Sequence, residues 1–170
     1  RELVFWTADI LTFSQLGRVE MSVAGNIESP LFRQCENLGV KAVHRQTGKD
    51  LGERMYNALA EGLQRYPKVI LVGSDSPQLD RDYLNSAVEA LAEYDVVLGP
   101  AEDGGYVLIG VSQLDKRWFE AVEWGSAKVY AQTVARFELT GTNWQHLSVL
   151  QDIDRPQDLP LWRTIVARGH

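Results

Sequence analysis

The alternation of short apolar runs with segments of helical spacing constrains this chain more than any other feature. Leu51, Met55, Ala58, Leu59 and Leu63 recur at i, i+4, i+7, i+8 and i+12, which is one face of a helix. Asp50 is placed to cap that helix, with Glu53 three residues on as its capping-box partner, and Pro67 stops it. Residues 69–72, Val-Ile-Leu-Val, then form the continuous apolar run of a strand covered on both faces. Asp80 starts a second helix that buries Leu84, Ala87, Val88 and Leu91, and residues 96–98 and 106–111 read as two further strands. The pattern extends upstream through a helix over 3–16, a strand over 19–24, a helix over 30–38 closed by Gly39, and a short strand over 41–45. Downstream it predicts a helix over 127–139 that buries Val129, Val134 and Phe137, a strand near 146–150 and a last helix over 156–167. Repeated strand–helix alternation implies an α/β layer with a largely parallel sheet. The short interval around Gly104-Gly105 points to one antiparallel strand. No repeat, low-complexity tract or linker interrupts the pattern, so residues 1–170 are expected to form a single domain.

Ligands of open α/β sheets bind beyond the carboxyl ends of the strands. Asp75 falls there, just after the 69–72 run, in the stretch VILVGSDSPQLD. A carboxylate at that position can hold Mg²⁺ or Mn²⁺, hard cations that take oxygen ligands and bridge to phosphates. It can equally cap a turn before Ser-Pro. A second acidic cluster, DIDRPQDL, follows the late strand. Asp154 before Arg-Pro makes a good helix start, but that does not account for Asp152, which shares a face with Asp154 if the segment is extended.

Glu102, Asp103, Gly104 and Gly105 join two apolar runs. Adjacent glycines permit unusual backbone conformations and a close approach of ligand to main chain, although Asp-Gly is also an ordinary hairpin signal. Asp103 is thus a ligand, a general base or a plain turn residue. In HRQTGKDLGERM, residues 44–55, Lys49 and Arg54 lie beside a helix start that would attract anions, while Asp50 as cap opposes an anion docking there. Trp124 before Gly125 could floor a sugar or base site, or anchor a loop.

Composition narrows the function classes. A formal charge of -6, with no basic stripe, argues against a nucleic-acid polymer as partner. The single cysteine, Cys35, rules out an internal disulfide and a thiolate zinc cluster and suits a reducing, cytoplasmic setting. No apolar run approaches the roughly 18 residues of a membrane span. His44, His146 and His170 show no ligand spacing or triad pairing.

QTGKDLGERM, VILVGSDSPQL, DVVLGPAEDGGYVLIG, VEWGSAKVYAQT and DIDRPQDL occur in this order over residues 46–160. Together they resemble the uncharacterised bacterial glycosyltransferase-like family known as DUF2064, or radical-SAM/selenodomain-associated transferase 1. The resemblance implies a three-layer α/β/α, Rossmann-like GT-A fold, that of nucleotide-diphospho-sugar transferases. It implies metal ligation by Asp75, Asp152 and Asp154, and a DGGY turn (Asp103, Gly104, Gly105, Tyr106) on the acceptor side of the cleft. Gln46, Asp50 and Arg54 match the family's DLGERM element, and with Trp124 they complete the expected substrate-binding set. The family opens with a strand and a basic loop of the K-x-P-x-x-G-x-x-K-T-R-L type. This chain starts at Arg1 inside what should be the first helix, so the N-terminal strand and phosphate loop are expected to be missing.

The expected function is glycosyl transfer from a nucleoside-diphosphate sugar, assisted by Mg²⁺ or Mn²⁺, with Asp103 as the catalytic group for an unspecified acceptor. The alternatives are nucleotidyl transfer with release of pyrophosphate, and a degenerate α/β binding module without turnover. Homo-oligomerisation is a further expectation, because an absent first strand would leave a sheet edge to be covered.

Overall fold

The computed structural model describes residues 2–151. The chain divides into two compact units. The first comprises residues 1–46, 74–85 and 151–170; the second comprises residues 47–73 and 86–150.

In the first unit, α1 (Glu2–Ser14) and α2 (Pro30–Leu38) alternate with β1 (Met21–Val23) and β2 (Val43–Arg45) in the chain. The two strands pair in parallel, with Ser22 opposite His44. Ser29 accepts from the Leu31 N–H ahead of Pro30, and Gly39 ends α2 at φ 116° with its N–H bonded to the Cys35 and Glu36 carbonyls. This is the proline-in, glycine-out pattern of a helix. Ala8, Cys35 and Val40 form the buried core of this unit.

In the second unit, β3 (Val69–Val72), β4 (Val96–Pro100), β5 (Tyr106–Val111) and β6 (Trp144–His146) form one sheet in the order β3-β5-β4-β6. β5 opposes both β3 and β4, whereas β6 runs parallel to β4. Three strands therefore point one way and β5 alone opposes them, which is the antiparallel member the Gly104-Gly105 joint announced. β4 and not β3 is the fully buried strand: β4 is buried along its whole length, while β3 is half-buried because it stands at the sheet edge. Helices α3 (Leu51–Leu63) and α5 (Val129–Thr140) and a 3₁₀ turn (Lys116–Phe119) belong to this unit. Leu59, Leu98, Ile109, Trp118 and Phe137 are among its core residues.

α4 (Arg81–Ala90) starts where Asp80 accepts the Tyr83 N–H at 2.8 Å, and it carries residues of both units. Leu84, Ala87 and Leu91 are buried as the spacing requires; Val88 is half-buried, and Tyr83 joins the buried set. The expected helix over 156–167 lies outside the described residues. No helix among the described residues is long and apolar enough to cross a membrane.

Candidate functional site

Because β3, β4 and β6 share a direction, their carboxyl ends lie on one rim of the sheet, where β5 begins. The turn between β4 and β5 is built by its own side chain: Asp103 Oδ1 accepts the Gly105 N–H at 2.8 Å. This is an Asx turn, the local job open to any aspartate before Gly-Gly, and the carboxylate itself is exposed.

Gly104 has a different reason. It sits at φ +90°, and a Cβ there would lie 2.2 Å from the Ala127 carbonyl oxygen. Its own carbonyl accepts the Tyr130 N–H at 2.9 Å. The close approach to Gly104 is therefore made by the chain's own backbone at the start of α5, where the sequence suggested a ligand. At Gly105 a Cβ would first meet the Asp103 carboxylate, at 3.1 Å. Tyr106, next in line, sends its phenol into the core, where burial pushes its pKa well above the usual tyrosine range while the nearby Thr133 hydroxyl pulls weakly the other way. Neither hydroxyl has a hydrogen-bond partner of good geometry.

The start of α3 is the second cluster of candidate residues. Asp50 caps the helix by accepting the Glu53 N–H at 2.9 Å. Glu53 reaches back to the Lys49 N–H at 3.0 Å, one residue before the position a standard capping box uses. That backbone bond holds the Glu53 carboxyl below the usual range; burial opposes it, and the charge of Lys49 adds to the lowering. Arg54 bonds the Gly48 carbonyl through Nε at 3.3 Å, and Asn57 bonds the Thr47 carbonyl at 2.8 Å. The loop over 47–50 is thus folded onto the helix end: the Thr47 and Gly48 carbonyls, the Lys49 N–H and the Asp50 carboxylate are engaged locally.

Trp124 lies on the same helix end. A Cβ on Gly52 would stand 2.6 Å from three atoms of the indole, so the glycine of DLGERM is the seat of the tryptophan. The ring of Phe119 stacks on Trp124 at 6.4 Å, and Tyr56 meets Phe119 edge-on at 6.0 Å. Asp50 and Trp124, far apart in sequence, line one cleft of about 280 Å³ together with Tyr56, Phe119 and Glu120. The sequence reading passed over Phe119 and Glu120; the only signal was the aromatic pair in Arg-Trp-Phe-Glu between a strand and a helix.

Gln46 and Asp75 belong to the first unit. Gln46 follows β2, with its N–H on the Val23 carbonyl at 2.9 Å and its side-chain amide on the Ser22 carbonyl at 3.0 Å. Asp75 is exposed in the bend after β3. The loop behind it is anchored: Ser76 is buried and donates to the Gln151 carbonyl at 3.4 Å, the Gln78 side chain accepts the Gln151 N–H at 2.8 Å, and the Trp6 indole donates to the Pro77 carbonyl at 3.2 Å. Asp152 and Asp154 lie outside the described residues. Among the described residues no three His, Cys, Asp or Glu side chains come close enough to hold a metal ion.

Sheet, turn and rim together define the fold class of the nucleotide-diphospho-sugar transferases. A protein described as a candidate nucleotide-diphospho-sugar transferase from Desulfovibrio desulfuricans G20 is 29% identical, with a TM-score of 0.79 over 95% of this chain and 73% of that one. A cytidylyltransferase from Leptospira borgpetersenii serovar Hardjo-bovis gives a TM-score of 0.69 at 13% identity, over 99% of this chain and 76% of that one. The inositol-1-phosphate CTP transferase from T. maritima gives 0.63 at 17% identity, over 97% and 82%. The chain belongs to the DUF2064 family, described as uncharacterised proteins conserved in bacteria, whose family model matches residues 7–126. No curated protein matches it.

Proposed function

We propose that the chain is a transferase that moves a glycosyl group from a nucleoside-diphosphate sugar to an acceptor hydroxyl, with a divalent cation at the donor phosphates. One observation carries this reading. Ser76 and Gln78, which follow Asp75, both hydrogen-bond Gln151, the residue before Asp152. Gln151, the last described residue before the second acidic segment, is thereby held beside the chain that follows Asp75, although the two lie more than 70 residues apart in sequence.

Asp75, Asp152 and Asp154 offer the oxygen-only donor set that Mg²⁺ or Mn²⁺ prefers. When bound, the cation neutralises charge on the departing diphosphate. Asp103 keeps acceptor capacity beyond the single bond it takes from Gly105, so it suits the role of base. The acceptor oxygen bonds to the anomeric carbon, the bond from that carbon to the diphosphate breaks, and Asp103 takes the hydroxyl proton. Gln46, Asp50, Arg54 and Trp124 are assigned to substrate binding. Gly104, Gly105 and Tyr106 contribute by shaping the turn that carries Asp103, since the main-chain groups of both glycines are bonded within the chain and the Tyr106 phenol is committed to the core.

The test is calorimetric titration of UDP- and GDP-sugars in the presence of Mn²⁺. We expect saturable heat with at least one donor, and its loss in Asp75→Asn. Absence of heat with every donor overturns the reading in favour of a binding module without turnover. Pyrophosphate release from a panel of nucleoside triphosphates would replace it with nucleotidyl transfer.

A further inference from the structure

We propose that the cleft at the start of α3 binds a small organic cation, a protonated amine or a guanidinium. This inference is separate from the metal site proposed at Asp75, shares Asp50 and Trp124 with the substrate-binding set assigned above, and does not require the chain to be a transferase. The cleft lies wholly within the second unit. Its volume of about 280 Å³ sits just below the usual range for small-molecule pockets, and it has space for roughly nine waters at about 30 Å³ each.

The walls select the ligand. Tyr56, Phe119 and Trp124 supply three aromatic rings, with Phe119 in contact with each of the other two. Asp50, Glu53 and Glu120 supply three carboxylates, against Lys116 as the single cation of the lining. Lys49 offsets Glu53 from outside the lining, with its ammonium 3.5 Å from that carboxylate, and Arg117 is paired with Asp115. The lining itself therefore carries two more negative than positive charges, before the neighbouring Lys49 and Arg54 are counted. Aromatic faces beside carboxylates are what a desolvated cation seeks. A phosphate or carboxylate ligand would meet that excess charge, with Lys116 as the one cation of the lining to receive it.

The backbone gives a further indication. Ala121, in the lining, holds φ +53°, a conformation that costs a non-glycine residue energy and that clusters at ligand sites. Two turns meet here, the cap of α3 and the segment after the 3₁₀ turn, and the indole of Trp124 packs on the bare backbone of Gly52 between them.

The experiment uses the full chain and two probes, choline and agmatine, titrated by calorimetry at fixed ionic strength, with glucose and inorganic phosphate as comparisons. We expect saturable binding of the cations and none of glucose or phosphate. Asp50→Asn keeps the helix cap while removing its charge, and Glu120→Gln removes an exposed charge. Each should weaken cation binding about two- to five-fold, the effect of one partly exposed ion pair. Lys116→Ala should tighten it by a similar factor, an opposite sign that a merely structural disturbance would not give. No saturable binding of either cation, glucose binding as tightly as choline, or all three variants shifting affinity the same way would each overturn the proposal.

Discussion

Tyr106 and Thr133 bury their hydroxyls near each other without completing a hydrogen bond. An unsatisfied buried hydroxyl gives back little of its desolvation cost, so removing one can be neutral or stabilising. Tyr106→Phe should therefore change stability at pH 7 by less than about 1 kcal/mol. The effect of pH is larger. Burial raises the phenol pKa of the folded chain above its ordinary value near 10. Above that pH the unfolded chain gives up the proton and the folded chain keeps it. The stability this group contributes is thus whole below about pH 10 and is lost as pH rises, at about 1.4 kcal/mol per pH unit. Tyr83, whose pKa burial also raises, adds to the same alkaline loss. Urea unfolding between pH 9 and 11.5 should show a steep fall in the wild-type chain and a shallower one in Tyr106→Phe. Parallel slopes in the two proteins would refute the assignment.

Helix α3 is where local signals and distant contacts part company. The period of its apolar face and the Asp50 cap are written in adjacent residues, and both appear in the structure. Leu51 departs from the pattern at 49% exposed, because the first turn of a helix reaches past the layer it packs on. Gly52 could not be understood from its neighbours at all, since Trp124, 72 positions along, is what occupies the space of its missing side chain. The same holds for Gly104 and Ala127: a turn is legible in Asp-Gly-Gly, but the reason for that particular glycine is not. The 3₁₀ turn Lys116–Phe119 is too short to show a period, and with it went two residues of the cleft. The Gly52–Trp124 contact makes a sharp prediction. Alanine at position 52 gains about 1 kcal/mol of helix propensity but must push against the indole, at a cost of about 1–3 kcal/mol. Gly52→Ala should destabilise the wild-type chain by about 1–2 kcal/mol and stabilise a Trp124→Ala chain by about 0.5–1 kcal/mol. A double-mutant cycle in urea reads this coupling directly, and the same sign in both backgrounds would refute it.

The chain passes between its two units four times, at 46/47, 73/74, 85/86 and 150/151. Neither unit is contiguous, so neither completes its contacts until loops running through the other have closed, at the entropic cost of each closure. The third passage falls inside α4, whose buried Leu84 and Ala87 belong to different units while sharing one helix face. A helix does not melt at one residue and persist at the next, because its nucleus is costly and its propagation cooperative. We therefore propose that the 170 residues unfold as one domain despite the two compact units. Tryptophan reports on each: the Trp6 indole is bonded to Pro77 in the first unit, and the Trp118 indole to Thr140 and Thr142 in the second. With 5-fluorotryptophan incorporated, the native ¹⁹F signals of Trp6 and Trp118 should fade at the same urea midpoint. Leu84→Ala empties a buried site and should cost about 2–5 kcal/mol. Under one cooperative transition it lowers both midpoints equally, although Leu84 belongs to the first unit alone. Independent units would instead lose the Trp6 signal early and leave that of Trp118 where it was.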